Sequence, residues 1–151
     1  MKNIKTITFI SIFFIFIMAF IFIYHNEINR NISHAENIKM ETISINQFQE
    51  VTYKIINNTN YSYLYGLSFA LDIKYRNEWI SVNFLPERGN FVAIAFTLYP
   101  KSYIYGVKDL YTNFGLLAPG EYRIVKEVDR IIDNDKLLFR EFLLTTEFTL
   151  Q

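Results

Sequence analysis

The chain has 151 residues, no cysteine, and 15 basic and 15 acidic side chains, so its formal net charge is zero. This length predicts one folded domain, and the lack of cysteine excludes disulfide bonds and thiolate metal sites. Because Lys2, Lys5, Arg30 and Glu27 precede residue 36, the remainder keeps 12 basic and 14 acidic side chains. These residues have no excess of positive charge that would attract nucleic acid or an anionic lipid surface, so we expect no nucleic acid partner.

The first predicted element is a membrane segment at residues 7–24, ITFISIFFIFIMAFIFIY, which contains no charged side chain. A helix of this length spans about 27 Å, close to the thickness of the hydrocarbon core of a bilayer. Lys2 and Lys5 predict that residues 1–6 stay in the cytoplasm, so the rest of the chain is expected outside the cell membrane.

Two fates of this segment remain open. Its apolar run is longer than the roughly 7–15 residues of a secretory signal peptide, which favours a retained single-pass anchor. Residues 25–44 would then be a juxtamembrane linker. However, Ser33, His34 and Ala35 match a small-x-small cleavage pattern, and cleavage after Ala35 would release a secreted protein.

Residues 45–151 are predicted to form one domain built from strands. Apolar and polar residues alternate at 50–56 (EVTYKII) and at 66–75 (GLSFALDIKY). The second segment is expected to bury Leu67, Phe69, Leu71 and Ile73. Further strands are expected at 79–84, 91–99, 122–128 and 137–151, with turns at 57–63, 76–78, 86–90 and 133–136. Residues 102–110 are expected to form either a further strand or an irregular edge. Since no segment has a helical period, the fold class is all-β: an antiparallel β-sandwich of about seven to eight strands after one N-terminal helix, with a small barrel as the alternative.

A turn motif favours the sandwich over the barrel. Leu117, Pro119, Gly120 and Tyr122 form a Leu-x-Pro-Gly-x-Tyr pattern just before an alternating run. In immunoglobulin-like sandwiches, a tyrosine at this place returns its hydroxyl to the backbone just upstream, the tyrosine corner. Proline presets such a turn, glycine can supply a positive φ, and the leucine is expected to fill the core beneath. We therefore predict a structural role for these four residues.

Residues 45–150 resemble the bacterial immunoglobulin-like domains of small exported Gram-positive proteins. The matching positions are Asn58, Tyr65, Gly66, Trp79, Pro100, Gly115, Leu117, Pro119, Gly120, Tyr122, Arg123, Phe148 and Leu150. The resemblance implies an immunoglobulin-like fold, and it implies no particular activity because the fold is a module used for many purposes. The frequent Lys, Asn and Ile residues fit an exported protein of an AT-rich Gram-positive bacterium.

Residues for catalysis are scarce in the predicted domain. Both histidines, His25 and His34, precede it, so neither a Ser-His-acid set nor a histidine zinc site can be built within it. The acidic stretch at 133–135 lacks the spaced oxygen ligands of a calcium loop. We expect no catalytic, cofactor-binding or metal-binding residue, and no enzyme. A hydrolase using carboxylates alone is the remaining rival.

Tyrosines are the best candidates for a binding surface, because a tyrosine offers a large contact area at low entropic cost. The candidates lie in the 57–65 turn and in the 100–112 connection: Tyr61, Tyr63, Tyr65, Tyr103, Tyr105 and Tyr111. The predicted function is a membrane-tethered interaction or accessory module whose partner is another surface or exported protein. The alternative is a secreted ligand-binding or protease-inhibitor-like domain released by cleavage near Ala35.

Overall fold

The computed structural model describes the backbone of residues 37–133 and 138–151, and the side chains of 37–132 and 142–151. The described residues form nine strands and one short helix. The elements are β1 (Ile38–Ile45), β2 (Glu50–Asn57), β3 (Tyr63–Tyr65), β4 (Ala70–Tyr75), β5 (Glu78–Ser81), β6 (Phe96–Leu98), β7 (Ser102–Asp109), α1 (Leu110–Phe114), β8 (Gly120–Asp133) and β9 (Leu138–Leu150). The predicted membrane segment, the Ala35 cleavage site and residues 134–136 of the last predicted turn lie outside the described residues.

The strands form two antiparallel sheets. Sheet A has the order β1-β2-β7. In sheet B the long strand β8 pairs with β9 along one side; on its other side it pairs first with β4 and then with β3. Strand β5 extends the sheet beyond β4, and β6 extends it beyond β3. The chain is thus an all-β sandwich, as predicted, and not the small barrel.

The core lies between the sheets, and the alternation of the sequence predicts its main contributors. Val51, Tyr53 and Ile55 of β2 are buried, while the residues between them are only half-buried. On β8, Tyr122 and Ile124 face the core in the same way. Each strand therefore contributes one apolar face, which is the arrangement that buries two sheets against each other.

The predicted linker at 25–44 is wrong at its C-terminal end, because β1 begins at Ile38. Ile38 and Met40 are buried against the core, and β1 pairs with β2 along its length. A register shift between Thr42 and Ser44 interrupts the alternation of β1. A β-bulge of this kind hides the period of a strand from a sequence pattern.

Three predicted strands are shorter than expected. The 66–75 segment is a strand only from Ala70 onward, and Leu67 is exposed rather than buried. Of the 79–84 and 91–99 segments, only β5 and β6 are strands. Instead of joining a sheet, Phe84 and Phe91 pack on Phe69 with ring centroids 5.6 Å apart. Aromatic packing therefore buries part of these apolar side chains, although their backbone does not pair with a strand.

One short helix also departs from the all-strand expectation. Asp109 caps α1 by accepting a hydrogen bond from the Thr112 backbone amide at 2.8 Å, and Gly115 ends the helix with a φ of 79°. A single turn is too short to show a helical period in the sequence. In the described part of the chain, no helix is long and apolar enough to cross a membrane.

Candidate functional site

The turn before β8 has the geometry of a tyrosine corner. The Tyr122 hydroxyl donates a hydrogen bond of 2.8 Å to the carbonyl of Ala118, four residues upstream. The Tyr122 ring is buried and stacks on Phe148, and Leu117 packs against the core. The Gln49 side chain bonds both the amide and the carbonyl of Leu117, which ties this turn to the start of sheet A.

Gly120 does not use the positive φ that the turn pattern suggested. Among the described glycines, only Gly115 has a positive φ. At Gly120 a Cβ atom would lie 3.4 Å from the Tyr122 ring, which is an ordinary van der Waals contact. Neither a positive φ nor a close approach of the ring therefore requires glycine at this position.

Tyr63 is not part of a surface, which corrects the prediction. Its side chain is 2% exposed and meets the ring of Phe142 edge-on at 6.0 Å. Tyr65 is half-buried against Phe96, and burial raises the pKa of its hydroxyl. These two tyrosines, on the short strand β3, contribute to packing because β3 lies between β6 and β8.

Tyr61 is exposed, and the guanidinium of Arg130 lies 4.5 Å from the centre of its ring. Tyr61 belongs to a turn that Asn57, a fully buried residue, holds in place. The Asn57 amide donates to the carbonyls of Tyr61 and Tyr99 at 2.8 and 2.9 Å. The turn at 57–61 is thus bound to the chain just before β7, a link that the sequence pattern did not reveal.

Tyr103 and Tyr105 do lie together on a surface. They stand on the outer face of β7 with ring centroids 5.6 Å apart, and the Lys54 ammonium lies 4.0 Å from the centre of the Tyr103 ring. Val107 follows them on the same face, and the three side chains are 56–59% exposed. We call Lys54, Tyr103, Tyr105 and Val107 the outer-face patch. Tyr111 is exposed on α1 and has no ring contact within the described residues.

A buried lysine, Lys126, and a half-buried one, Lys108, hold the segment 66–68, and no motif indicated them as a pair. Lys126 is 1% exposed and donates to the carbonyls of Gly66 and Ser68 at 2.5 and 3.0 Å. Lys108 donates to the carbonyl of Leu67 at 2.8 Å. Burial, followed by the charge of Lys108, lowers the pKa of Lys126 to about 8, and burial also lowers the pKa of Lys108.

A shallow groove of about 460 Å³ opens on the other side of this segment. It lies where β8 has no strand on the side away from β9, between the stretch paired with β4 and the stretch paired with β3. Small residues such as Gly66 and Ala93 form its walls, and the carboxylates of Glu127 and Asp129 line it. Among the residues that the structure describes, no three metal-ligating side chains come together.

Two solved structures are similar over most of the domain: the Northeast Structural Genomics Consortium target SoR45, which shares 13% identity and covers 75% of this chain and 81% of its own, and the ASH / PapD-like domain 7 of human CEP192, which shares 9% identity and covers 74% and 82%. Both have a TM-score of 0.38, so neither similarity carries an argument about the fold or the function of this chain. No curated protein matches the sequence.

A protein-family model matches residues 28–149, which is most of the sequence. The model describes a bacterial Ig-like domain. Two packed antiparallel sheets and a tyrosine bonded back to the turn before its strand are the features that such a domain requires. This chain belongs to the bacterial Ig-like domain family.

Proposed function

We propose that this protein is a membrane-tethered, extracytoplasmic interaction module of a Gram-positive bacterium, and that it acts without catalysis or a cofactor. The outer-face patch carries the proposal. Exposed aromatic side chains beside a cation, standing on a rigid sheet, are typical of surfaces that bind other proteins. The ligand would be another surface or exported protein.

The contacts of the patch favour binding over packing within the domain. Tyr103 and Tyr105 are more than half exposed, although they contact each other and Lys54. Their rings are held in place by a strand that is paired with β2 over eight residues. A partner would therefore bury large side chains whose positions are already fixed, which lowers the entropic cost of binding.

A photo-crosslinking amino acid placed at Tyr105 in intact cells tests this proposal. We expect one defined crosslinked product from Tyr105 and none of the same mass from Tyr99, a tyrosine outside the strands that is even more exposed. The protein would be identified by mass spectrometry. Identical products from both positions, or no product from either, would contradict an interaction surface on β7.

The tether is supported by the uncharged run at residues 7–24. We expect the full-length protein to remain in membranes washed with alkaline carbonate, and its intact mass to include residues 1–35. Recovery of the protein from the medium, with an N-terminus at Glu36, would instead support the secreted ligand-binding or inhibitor-like domain.

One observation favours this second candidate. Strand β1 begins at Ile38, and the carbonyl of Asn37 accepts a hydrogen bond of 2.7 Å from the Asn58 amide. Cleavage after Ala35 would leave all the described strands in the released product. A secreted form would therefore keep the same outer-face patch.

A further inference from the structure

Strand β7 is an edge strand of sheet A. It pairs with β2 along one side, and no strand of the sheet follows it on the other. Within residues 37–133 and 138–151, no loop backbone forms a hydrogen bond with this open side. A row of unpaired amides and carbonyls of this kind is a template for a further strand.

We propose that a second copy of this chain covers this side, with β7 pairing antiparallel to β7 of the other copy. This inference rests on the proposed function, for which it names the partner of the outer-face patch. Facing residues of an antiparallel pair point to the same side of the sheet. The twofold axis must therefore lie midway between the two copies of one residue, which face each other, and cannot place residue i opposite residue i+1 of the copy. With the axis at Tyr105, residues 102–108 pair with residues 108–102 of the second copy.

The exposed side chains are complementary in this register. On the outer face, Tyr105 meets Tyr105 of the copy, and Tyr103 meets Val107 at both ends. All three side chains are more than half exposed in the single chain. Aromatic and β-branched residues facing each other across strands stabilise an antiparallel pair. The two patches would join into one continuous apolar strip across a sheet of both copies.

Charge also favours this register. One position beyond the pairing, Lys101 of one copy faces Asp109 of the other, and the symmetry repeats this contact at the other end. Lys101 bonds only the carbonyl of Asn58, and neither Lys101 nor Asp109 forms an ion pair with a described residue. An axis at Gly106 would place Asp109 against Tyr103, and an axis at Ile104 would place Lys101 against Val107. Opposite charges face each other only in the Tyr105 register.

A single strand edge is a small interface, so the dimer is expected to be weak in free solution. Two copies anchored in the same membrane have a high effective concentration, which would compensate for the small area. The pairing is therefore suited to a tethered protein. Full-length chains in membranes are the appropriate material for the test.

The absence of cysteine allows a direct test by disulfide formation. Facing Cα atoms of an antiparallel pair lie about 4.5–5.5 Å apart, within the range that a disulfide can bridge. We expect Tyr105→Cys to form a disulfide-linked dimer under mild oxidation, and a mixture of differently tagged Tyr103→Cys and Val107→Cys chains to form the mixed dimer. Tyr99→Cys is the matched control and should remain monomeric. Linking of Tyr105→Cys no stronger than that of the control would overturn the proposal, as would preferred linking of Tyr103→Cys to itself.

A charge exchange at the axis tests the same pairing without a covalent bond. Tyr105→Lys and Tyr105→Glu each place like charges against each other, so each alone should lose self-association in dual-tag capture of full-length chains from membranes. Mixing the two variants should restore a dimer. Thermal unfolding would check that both variants remain folded. Undiminished self-association of Tyr105→Lys would contradict the proposal. If these tests fail while photo-crosslinking at Tyr105 captures a different protein, the interaction function stands and the self-pairing is wrong.

Discussion

At the scale of a single residue, Tyr122 connects the turn before β8 to the core. Its ring is buried, and its hydroxyl has a single bonded partner, the carbonyl of Ala118 at 2.8 Å. The bond closes the turn just before β8, the strand that pairs with three others. Loss of the hydroxyl leaves a polar backbone group without its partner, which is more costly than loss of an exposed hydrogen bond.

We therefore expect Tyr122→Phe to lower the free energy of unfolding by about 1–3 kcal/mol. Chemical denaturation followed by circular dichroism would measure the change. Tyr103→Phe is the matched control, because the Tyr103 hydroxyl is on the exposed face of β7 and should change stability little. Equal stability of Tyr122→Phe and the unmodified chain would remove the tyrosine corner as a stabilising element.

The lowered pKa of Lys126 predicts that the stability of the domain depends on pH in the alkaline range. Its pKa in the folded protein is lowered to about 8 from an ordinary value of 10.5, so between these values the unfolded chain binds more protons than the folded one. Stability then rises as the pH rises from about 8 toward 10. Lys108 contributes in the same direction, since burial lowers its pKa as well.

Tyr53 limits this rise at higher pH. Burial, with a smaller contribution from Tyr65, raises the pKa of Tyr53 to about 12 from 10, so above pH 10 the unfolded chain loses its proton first and stability falls. Unfolding free energies measured from pH 7 to 10 should therefore increase, and Lys126→Met should show a smaller increase. A decrease over this range in the unmodified chain would contradict the burial of an ionisable Lys126.

At the scale of an element, β7 depends on a glycine for its place in sheet A. Gly106 pairs with Tyr53 of β2, and the Tyr53 ring lies across it. A Cβ atom at Gly106 would overlap this ring, whereas at Gly66 the nearest atom would be 3.4 Å away. The tyrosine fills the core over β7 only because its neighbour has no side chain.

Gly106→Ala should thus destabilise the domain by about 1–3 kcal/mol through overpacking, and Gly66→Ala by much less. Thermal or chemical unfolding would compare the two. Combining Gly106→Ala with Tyr53→Leu should recover part of the loss, because the ring that causes the overlap is removed. If the changes in unfolding free energy of the two substitutions simply add, the alanine acts through a contact other than the Tyr53 ring.

At the scale of the whole molecule, the domain includes β1, which begins at Ile38. Strand β1 buries Ile38 and Met40 and pairs with β2, and the Thr42 hydroxyl bonds that of Thr146 on β9 at 2.9 Å. Strand β1 therefore contacts both sheets. It also covers the side of β2 that β7 leaves open.

A chain consisting of residues 36–151 should fold, and one consisting of residues 46–151 should be unfolded or strongly destabilised. The loss of Ile38 and Met40 alone removes about 1.5–3 kcal/mol of hydrophobic stabilisation for each side chain. Circular dichroism and denaturant titration of both chains measure the difference. Comparable stability would mean that β1 is dispensable, as the predicted linker at 25–44 implied.

The sequence by itself determined the fold class, the alternation of apolar and polar residues along β2 and β8, and the turn at Tyr122. These features depend on local signals: an alternation of period two and the turn chemistry of proline and glycine. They can be read from a few consecutive residues, and long-range contacts are not needed to recognise them. The family match over residues 28–149 supports the same fold.

The tertiary structure alone decided which tyrosines are exposed and why Lys126 is buried. The sequence placed Tyr63 in a predicted turn and Tyr103 in the 100–112 connection, and both were candidates for a binding surface. Only the contact between the sheets determines that the first faces inward and the second outward. Lys126 faces the core because it alternates with Tyr122 and Ile124 on the same face of β8. The carbonyls that accept its hydrogen bonds lie about sixty residues earlier in the chain, at Gly66 and Ser68. The open side of β7 likewise follows from strand order. A local pattern cannot specify which strand lies beside another, because that choice is made by packing across the whole domain.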